Sequence, residues 1–280
     1  MTIALNGRHF WAIITLLSLV LSACAQRPIA LAPTATPLVP QYCQLRVDGS
    51  GGAVKDKSGQ VVVLHGATLP TLTEMQASDR KPDQRLRALA DAGARVVRLT
   101  IDERDMTPTF VPAQVSPFID QANALGILVI LSYRNNPALS INGQADNAED
   151  WLRLALQYLR NAPGVWFEPF QFPIDSPKYQ GVAQRMIDVA NGYRVNNVLV
   201  IGNPVWLKDG TNVQGITGRT VAHSVASLDG WPASAAPLLV VSNDAQVLAS
   251  AASSGAWAIA GSDEVTEERA SLWKTSVGCR

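Results

Sequence analysis

Eight short apolar runs alternate with stretches of helical periodicity, and that alternation limits this chain to few folds. The runs are 61–64, 95–99, 127–131, 165–167, 197–201, 220–223, 238–241 and 256–260. Continuous apolar runs suit strands buried on both faces, and intervening helices suit parallel pairing through crossovers. The first helix is opened by Pro82, which fits an initial helical position, and is stopped by Gly93. Ser116-Pro117 opens a second, with Gly126 as its stop. Asp146 and Glu149 have the spacing of a capping box ahead of an apolar stripe through Trp151, Ala155, Tyr158 and Leu159. Tyr179, Val182, Met186 and Val189 mark a fourth helix, and two more are expected over 246–252 and 263–274. Eight units over 43–280 approach the about 250 residues usual for a (β/α)8 barrel. The expected fold is therefore a compact α/β (β/α)8 TIM barrel. A small N-terminal β-hairpin precedes it, formed by Leu45–Val47 and Ala53–Lys55. An open doubly wound sheet is the structural alternative. It would ordinarily place a glycine-rich phosphate loop after the first strand, and His65-Gly66-Ala67 is not one.

The residues before this domain read as an address. Arg8 and His9 precede an apolar run from Phe10 to Val20, too short to span a bilayer and suited to a secretory signal. The following Leu21-Ser22-Ala23-Cys24 resembles a bacterial lipobox. That resemblance implies a signal peptide over 1–23 and a lipid on Cys24. An ordinary signal peptide with a coincidental cysteine is the other reading. Pro28, Pro33, Pro37 and Pro40 make 24–42 a semi-rigid tether. The expected location is the cell envelope, outside the cytoplasm, with the chain held to a membrane through Cys24. Cys43 and Cys279 then remain, one at each end of the barrel. In an oxidising compartment they are expected to pair, although two free thiols stay open because spacing does not show that their Cα atoms approach. The 23 Lys and Arg balance the 23 Asp and Glu, so no net charge points to nucleic acid as a partner.

The stretch Pro163-Gly-Val-Trp-Phe-Glu168-Pro-Phe-Gln171-Phe172-Pro173 carries the function argument. Its Phe-Glu-x-x-x-x-Pro frame resembles the fourth strand of cellulase-like retaining glycoside hydrolases of family five, which reads Phe-Glu-x-x-Asn-Glu-Pro. Gln171 stands at the Asn position, and Phe172 stands at the position of the acid/base Glu. Val97-Arg98-Leu99 is similar to the Val-Arg-Ile of the second strand, where the Arg supports the catalytic carboxylates. Val63-Leu64-His65-Gly66-Ala67 resembles Leu-Arg-Gly-Val-Asn after the first strand. Tyr133-Arg134 falls where the family often has Asp-x-His. Gly202 to Trp206 resembles a Gly…Trp pattern, and Trp206 is either a sugar platform or a side chain packed under a loop. His223 matches the His of His-x-Tyr, with Val225 in place of the Tyr. The nucleophile of Pro-x-x-x-x-Glu falls after Pro237, where Ser242 and Asn243 stand, with Asp244 beyond them.

Retaining hydrolysis needs two carboxyl groups about 5 Å apart, one protonating the leaving oxygen and one attacking the anomeric carbon. A Phe cannot transfer a proton, and Ser or Asn cannot replace a carboxylate nucleophile. The resemblance therefore implies a barrel without the family mechanism. It would bind carbohydrate or another envelope partner through Arg98, Tyr133, Arg134, Gln171, Trp206 and His223. An active glycoside hydrolase using displaced carboxylates, with Glu168 and Asp244 as candidates, is the alternative. A third reading is a structural lipoprotein whose cleft is filled by Phe170 and Phe172. Arg98 is also expected to neutralise Glu168 in the barrel. No metal site is expected: the Asp and Glu near strand ends lack ligand spacing, and His65 and His223 are the domain's only histidines. No cofactor motif is present in the sequence.

Overall fold

Eight parallel strands, in the order Val165–Glu168, Leu128–Tyr133, Val96–Ile101, Gly66–Leu69, Trp257–Ala260, Leu238–Ser242, Ala222–Val225 and Val200–Gly202, form the centre of the molecule. The computed structural model describes residues 45–47, 53–105, 107–171, 178–195, 197–202, 222–225 and 238–276, with backbone only at 46, 223 and 238. A hairpin of β1 (Arg46–Val47) and β2 (Val54–Lys55) comes first. The barrel strands are β3 (Gly66–Leu69), β4 (Val96–Ile101), β5 (Leu128–Tyr133), β6 (Val165–Glu168), β7 (Val200–Gly202), β8 (Ala222–Val225), β9 (Leu238–Ser242) and β10 (Trp257–Ala260). A parallel bridge from Phe167 to Leu199 joins the two ends of this order, and the Phe167 amide donates to the Val198 carbonyl at 3.1 Å. The expected (β/α)8 class is the one observed.

The helices are α1 (Leu72–Ala77), α2 (Pro82–Asp91), α3 (Ser116–Ala124), α4 (Ile141–Leu159), α5 (Tyr179–Gly192), α6 (Ala245–Ser253) and α7 (Glu267–Trp273). Pro82 does open α2, and Gly93 follows its end with a φ of 98°, a conformation that side chains with a Cβ resist. A π-helical turn, Val111–Val115, leads into α3. Strand residues alternate between two apolar layers. Val97, Leu99, Val129, Leu131 and Phe167 pack outward against the helices, with Trp151, Leu152, Leu156 and Met186. Val96, Leu128, Ile130, Trp166, Val200, Leu239, Trp257 and Ile259 fill the inside. There Trp166 and Trp257 stack with centroids 4.7 Å apart and planes 16° from parallel.

Several elements depart from the sequence expectations. The first barrel strand is not the apolar run Val61–Leu64 but the smaller residues Gly66–Leu69. Val62 and Leu64 are buried because they close the floor of the barrel together with Val54 of the hairpin. The Val62 amide donates to the Val54 carbonyl at 2.8 Å. Apolar character reported burial, not membership of the barrel. Gly66 is demanded by packing: a Cβ there would lie 1.7 Å from the Val96 carbonyl oxygen. His65 consequently sits below the first strand and not at its upper end.

The expected capping box at Asp146 and Glu149 is also corrected. Helix α4 begins earlier, after Ser140, whose hydroxyl accepts from the Gly143 amide at 3.2 Å. Asp146 and Glu149 lie inside α4, where Asp146 pairs with Arg185 at 2.9 Å and Glu149 with Arg153 at 2.6 Å. The capping box that does form is Thr71 to Glu74, ahead of α1, an element not anticipated. The Glu74 amide donates to Thr71 Oγ1 at 3.1 Å, and the Thr71 amide donates back to Glu74 Oε2 at 2.9 Å. Finally, the last helix starts at Glu267 behind a Thr266 cap, so Asp263 lies outside it and pairs with Arg85.

Candidate active site

The upper interior of the barrel is polar. Alternation puts Thr68, Arg98, Thr100, Ser132, Glu168 and Ser224 on the inner face, above the apolar layer of Val96, Ile130, Trp166 and Ala222. All six are buried, and Glu168 has no exposed surface. Arg98 Nε donates to Glu168 Oε2 at 2.5 Å, and Ser224 Oγ donates to Glu168 Oε1 at 2.7 Å. Arg98 Nη2 reaches the Gln171 carbonyl at 3.1 Å. A buried carboxylate needs such partners, because removal of its hydration costs several kcal/mol. Both oxygens of Glu168 are thus engaged, one from β4 and one from β8.

Gln171 is tied to the same network. Its amide donates to the Tyr133 carbonyl at 2.7 Å, and its Nε2 donates to Thr100 Oγ1 at 3.1 Å. Its backbone therefore curls back over the tops of β4 and β5. Phe170 turns the other way, into the helix layer, edge-on to Tyr179 with centroids 5.9 Å apart. This side chain does not fill the cleft, which corrects one half of the third reading.

Tyr133 and Arg134 separate in function. The Tyr133 ring is fully buried against Trp151 of α4, with centroids 5.7 Å apart, so it faces the helices and is not offered at the barrel mouth. Burial there, aided by the negative charge of Glu103, pushes its hydroxyl up to about 12. Arg134 lies at the rim. It donates to Asp102 Oδ2 at 2.8 Å and to Glu74 Oε1 at 3.0 Å, while Arg104 donates to the same Asp102 oxygen at 2.6 Å. Burial would raise the Asp102 carboxyl, but the bonds from Arg104 and Arg134 outweigh it and hold the group below the usual carboxylate range. Asp102, Glu103, Arg104, Arg134, Asn135, Asn136 and Pro137 line an open depression beside the mouth.

The end of β9 holds no Glu. Alternation from Leu239 and Val241 carries to Asn243, whose side-chain amide lies against Gly261; a Cβ at Gly261 would meet Asn243 Oδ1 at 2.8 Å. Asp244 is exposed and caps α6, its Oδ1 accepting from the Gln246 and Val247 amides at 2.8 and 3.3 Å. Phe172, Trp206, Cys24, Cys43 and Cys279 lie outside the described residues, as does the His223 side chain. The backbone puts His223 second in β8, in register with Ile201, rather than at the strand's upper end. That two-residue shift is why Ser224, which meets Glu168, was missed; a strand running to Val225 would have revealed it. His65 is buried at the barrel floor, where its Nδ1 accepts from the Ala258 amide at 3.0 Å. Burial pushes its pKa down to about 4. Among the described residues, no three His, Cys, Asp or Glu converge as ligands for a metal ion.

No protein-family model matches the chain, and no curated protein matches its sequence. Solved structures do match its fold. A β-glucanase of Saccharophagus degradans, in complex with cellotetraose, superposes with a TM-score of 0.66 at 14% identity, over 82% of this chain and 91% of that one. The catalytic domain of a Thermobifida fusca endoglucanase, also with cellotetraose, gives 0.63 at 18% identity, over 83% and 89%. A β-mannanase of Streptomyces thermolilacinus with mannohexaose gives 0.64 at 15% identity, over 80% and 85%. At these identities the likeness is one of fold, a glycoside-hydrolase-like (β/α)8 barrel.

Proposed function

We propose that this chain is a glycoside-hydrolase-like barrel that binds glycan without hydrolysing it, held in the cell envelope by a lipid on Cys24. The observation that supports the reading is the commitment of Glu168. Its two oxygens are occupied by Arg98 and Ser224, and it has no exposed surface. A carboxylate so placed has no route to a glycosidic oxygen, because neither of its oxygens is open to the barrel mouth. Asp244, the other displaced candidate, spends its carboxylate on the end of α6. Phe172 at the acid/base position of the resemblance completes the argument from sequence. The structural neighbours were solved with cellotetraose and mannohexaose, so β-linked glucans and mannans are the first ligands to try. In this reading Arg134 and Gln171 meet the ligand at the rim, with Trp206 as a further candidate from the sequence.

The test is a reducing-sugar assay on a polysaccharide panel, run beside binding isotherms on the same panel. Saturable binding with no sugar release is the expected result. Release that disappears in Glu168→Gln or Asp244→Asn would establish the hydrolase instead. Membrane attachment is checked separately: Cys24→Ser is expected to move the protein from the membrane fraction to the soluble one.

A further inference from the structure

The chain as a whole carries no net charge, but the two ends of the barrel do not share that balance. In a barrel of parallel strands, the turns from each helix into the next strand lie at the floor, beside the hairpin that closes it. Among the described residues, the floor turns at 92–95, 125–127, 160–164, 193–195, 197–199 and 254–256, with 274–276 after the last helix, hold Arg95, Arg160, Arg194 and Lys274 and no carboxylate. The hairpin adds Lys55 and Lys57. Asp56 between them is tied into its own turn, its Oδ1 accepting from the Ser58 hydroxyl at 2.6 Å and the Gln60 amide at 3.0 Å. The lower parts of α2 and α5 bring two carboxylates, Asp91 and Asp188. At the mouth the balance is reversed. Within four residues after the barrel strands, Asp102, Glu103, Asp105, Asp244, Asp263 and Glu264 stand against Arg104 and Arg134 among the described residues. Those two cations are paired with Asp102, whereas Arg160, Arg194 and Lys274 are exposed and no carboxylate among the described residues pairs with them.

We infer that the floor is the face this protein lays on an anionic lipid bilayer, with the mouth directed away from it. The inference rests on the reading that a lipid on Cys24 holds the chain at a membrane. The stretch 24–42 leads into the barrel unit through the floor hairpin, whose first strand is Arg46–Val47. A flexible or semi-rigid tether sets distance but leaves the barrel free to turn. The separation of charge supplies the orientation: the cationic floor is drawn to anionic headgroups, and the acidic mouth is repelled. Each Lys or Arg brought near such a surface strengthens attachment about five-fold, and the attraction fades beyond a Debye length of about 8 Å at physiological salt. The mouth then stays open to glycan on the side away from the lipid.

The experiment is cosedimentation of the full chain with vesicles of phosphatidylcholine alone and of equal parts phosphatidylcholine and phosphatidylglycerol, at low and high salt. Anchoring through Cys24 is common to both vesicles, so the excess on the anionic ones reads the floor. That excess is expected in the wild type and shrinks with salt. It is expected to fall about five-fold for each cation removed in Arg160→Gln, Arg194→Asn and Lys274→Gln, made singly and together. Asn is chosen at 194 because the φ there is 53°. No excess in the wild type, or an excess that the combined variant retains, overturns the inference. Amide hydrogen exchange in the same mixtures locates the face. Slowing at 92–95 and 160–164 on anionic vesicles supports the floor, and its absence there overturns the inference wherever else slowing occurs. Cys24→Ser separates the two readings: if it stays in the membrane fraction the lipid anchor fails, while the difference between the two vesicles still reads the floor.

Discussion

The floor and the roof of this barrel are built on opposite principles. The floor is made of Val62, Leu64, Val96, Leu128, Trp166, Trp257 and Ile259, held by area and shape. The roof is built around Arg98, Thr100, Glu168 and Ser224, held by a few directional bonds. An apolar layer loses stability in proportion to what is cut away. A buried polar layer is all-or-none, because deleting one partner strands the other.

The sharpest way to break this comparison is Glu168→Ala. It leaves the Arg98 guanidinium buried without its counter-charge and is expected to lower unfolding free energy by about 3–5 kcal/mol, measured by denaturant titration. Replacing both partners, Arg98→Met with Glu168→Leu, is expected to recover most of that loss. If the double variant is as unstable as the single, the roof is not an all-or-none unit.

Acid offers the next largest effect, and it acts on the floor. The folded-state pKa of His65, about 4, lies below its ordinary 6.5, so the unfolded chain takes up the proton first as pH falls. Stability is complete above about pH 6.5 and declines through the interval down to about 4, by up to about 3 kcal/mol. The lost contact is the Ala258 amide on Nδ1. His65→Gln is expected to flatten that part of the stability profile, read as melting temperature against pH.

Smaller effects sharpen the contrast at the helix ends. Thr71→Ala removes one side of the capping box on α1 and is expected to cost about 1 kcal/mol. Asp244→Asn keeps an equally good cap on α6 and is expected to leave stability within about 0.5 kcal/mol. Glycan affinity, by the same binding isotherms, is expected to be unchanged in Asp244→Asn.

How much of this was legible in the sequence varied with the kind of signal. Strands near 165–168, 238–242 and 257–260 were readable because each is built on a continuous apolar run. The first strand was not, since Val61–Leu64 is more apolar than Gly66–Leu69 but serves as a plug, and only the approach of the Val96 carbonyl explains Gly66. The pairing of Arg98 with Glu168 followed from the resemblance that set Arg98 at the top of the second strand and from the cost of burying a lone carboxylate. Ser224 and Glu74 did not, because a hydroxyl or a rim carboxylate has no distinctive pattern until the strand register is fixed. For Glu74 a signal existed, the Thr-x-x-Glu spacing at 71–74, and it was the better capping box of the two in the sequence.

Glu168 has one more consequence, for how this cylinder stays shut. Among the described residues, β6 and β7 meet through one bridge rather than a ladder, so the join between the two halves of the barrel is thin there. Glu168 stands on β6 beside that join, and Ser224 on β8 lies across it. The carboxylate is thus a clasp over the seam, with Arg98 anchoring it from behind. Glu168 then acts mechanically, as the fastening that keeps the first and second halves of the chain from parting.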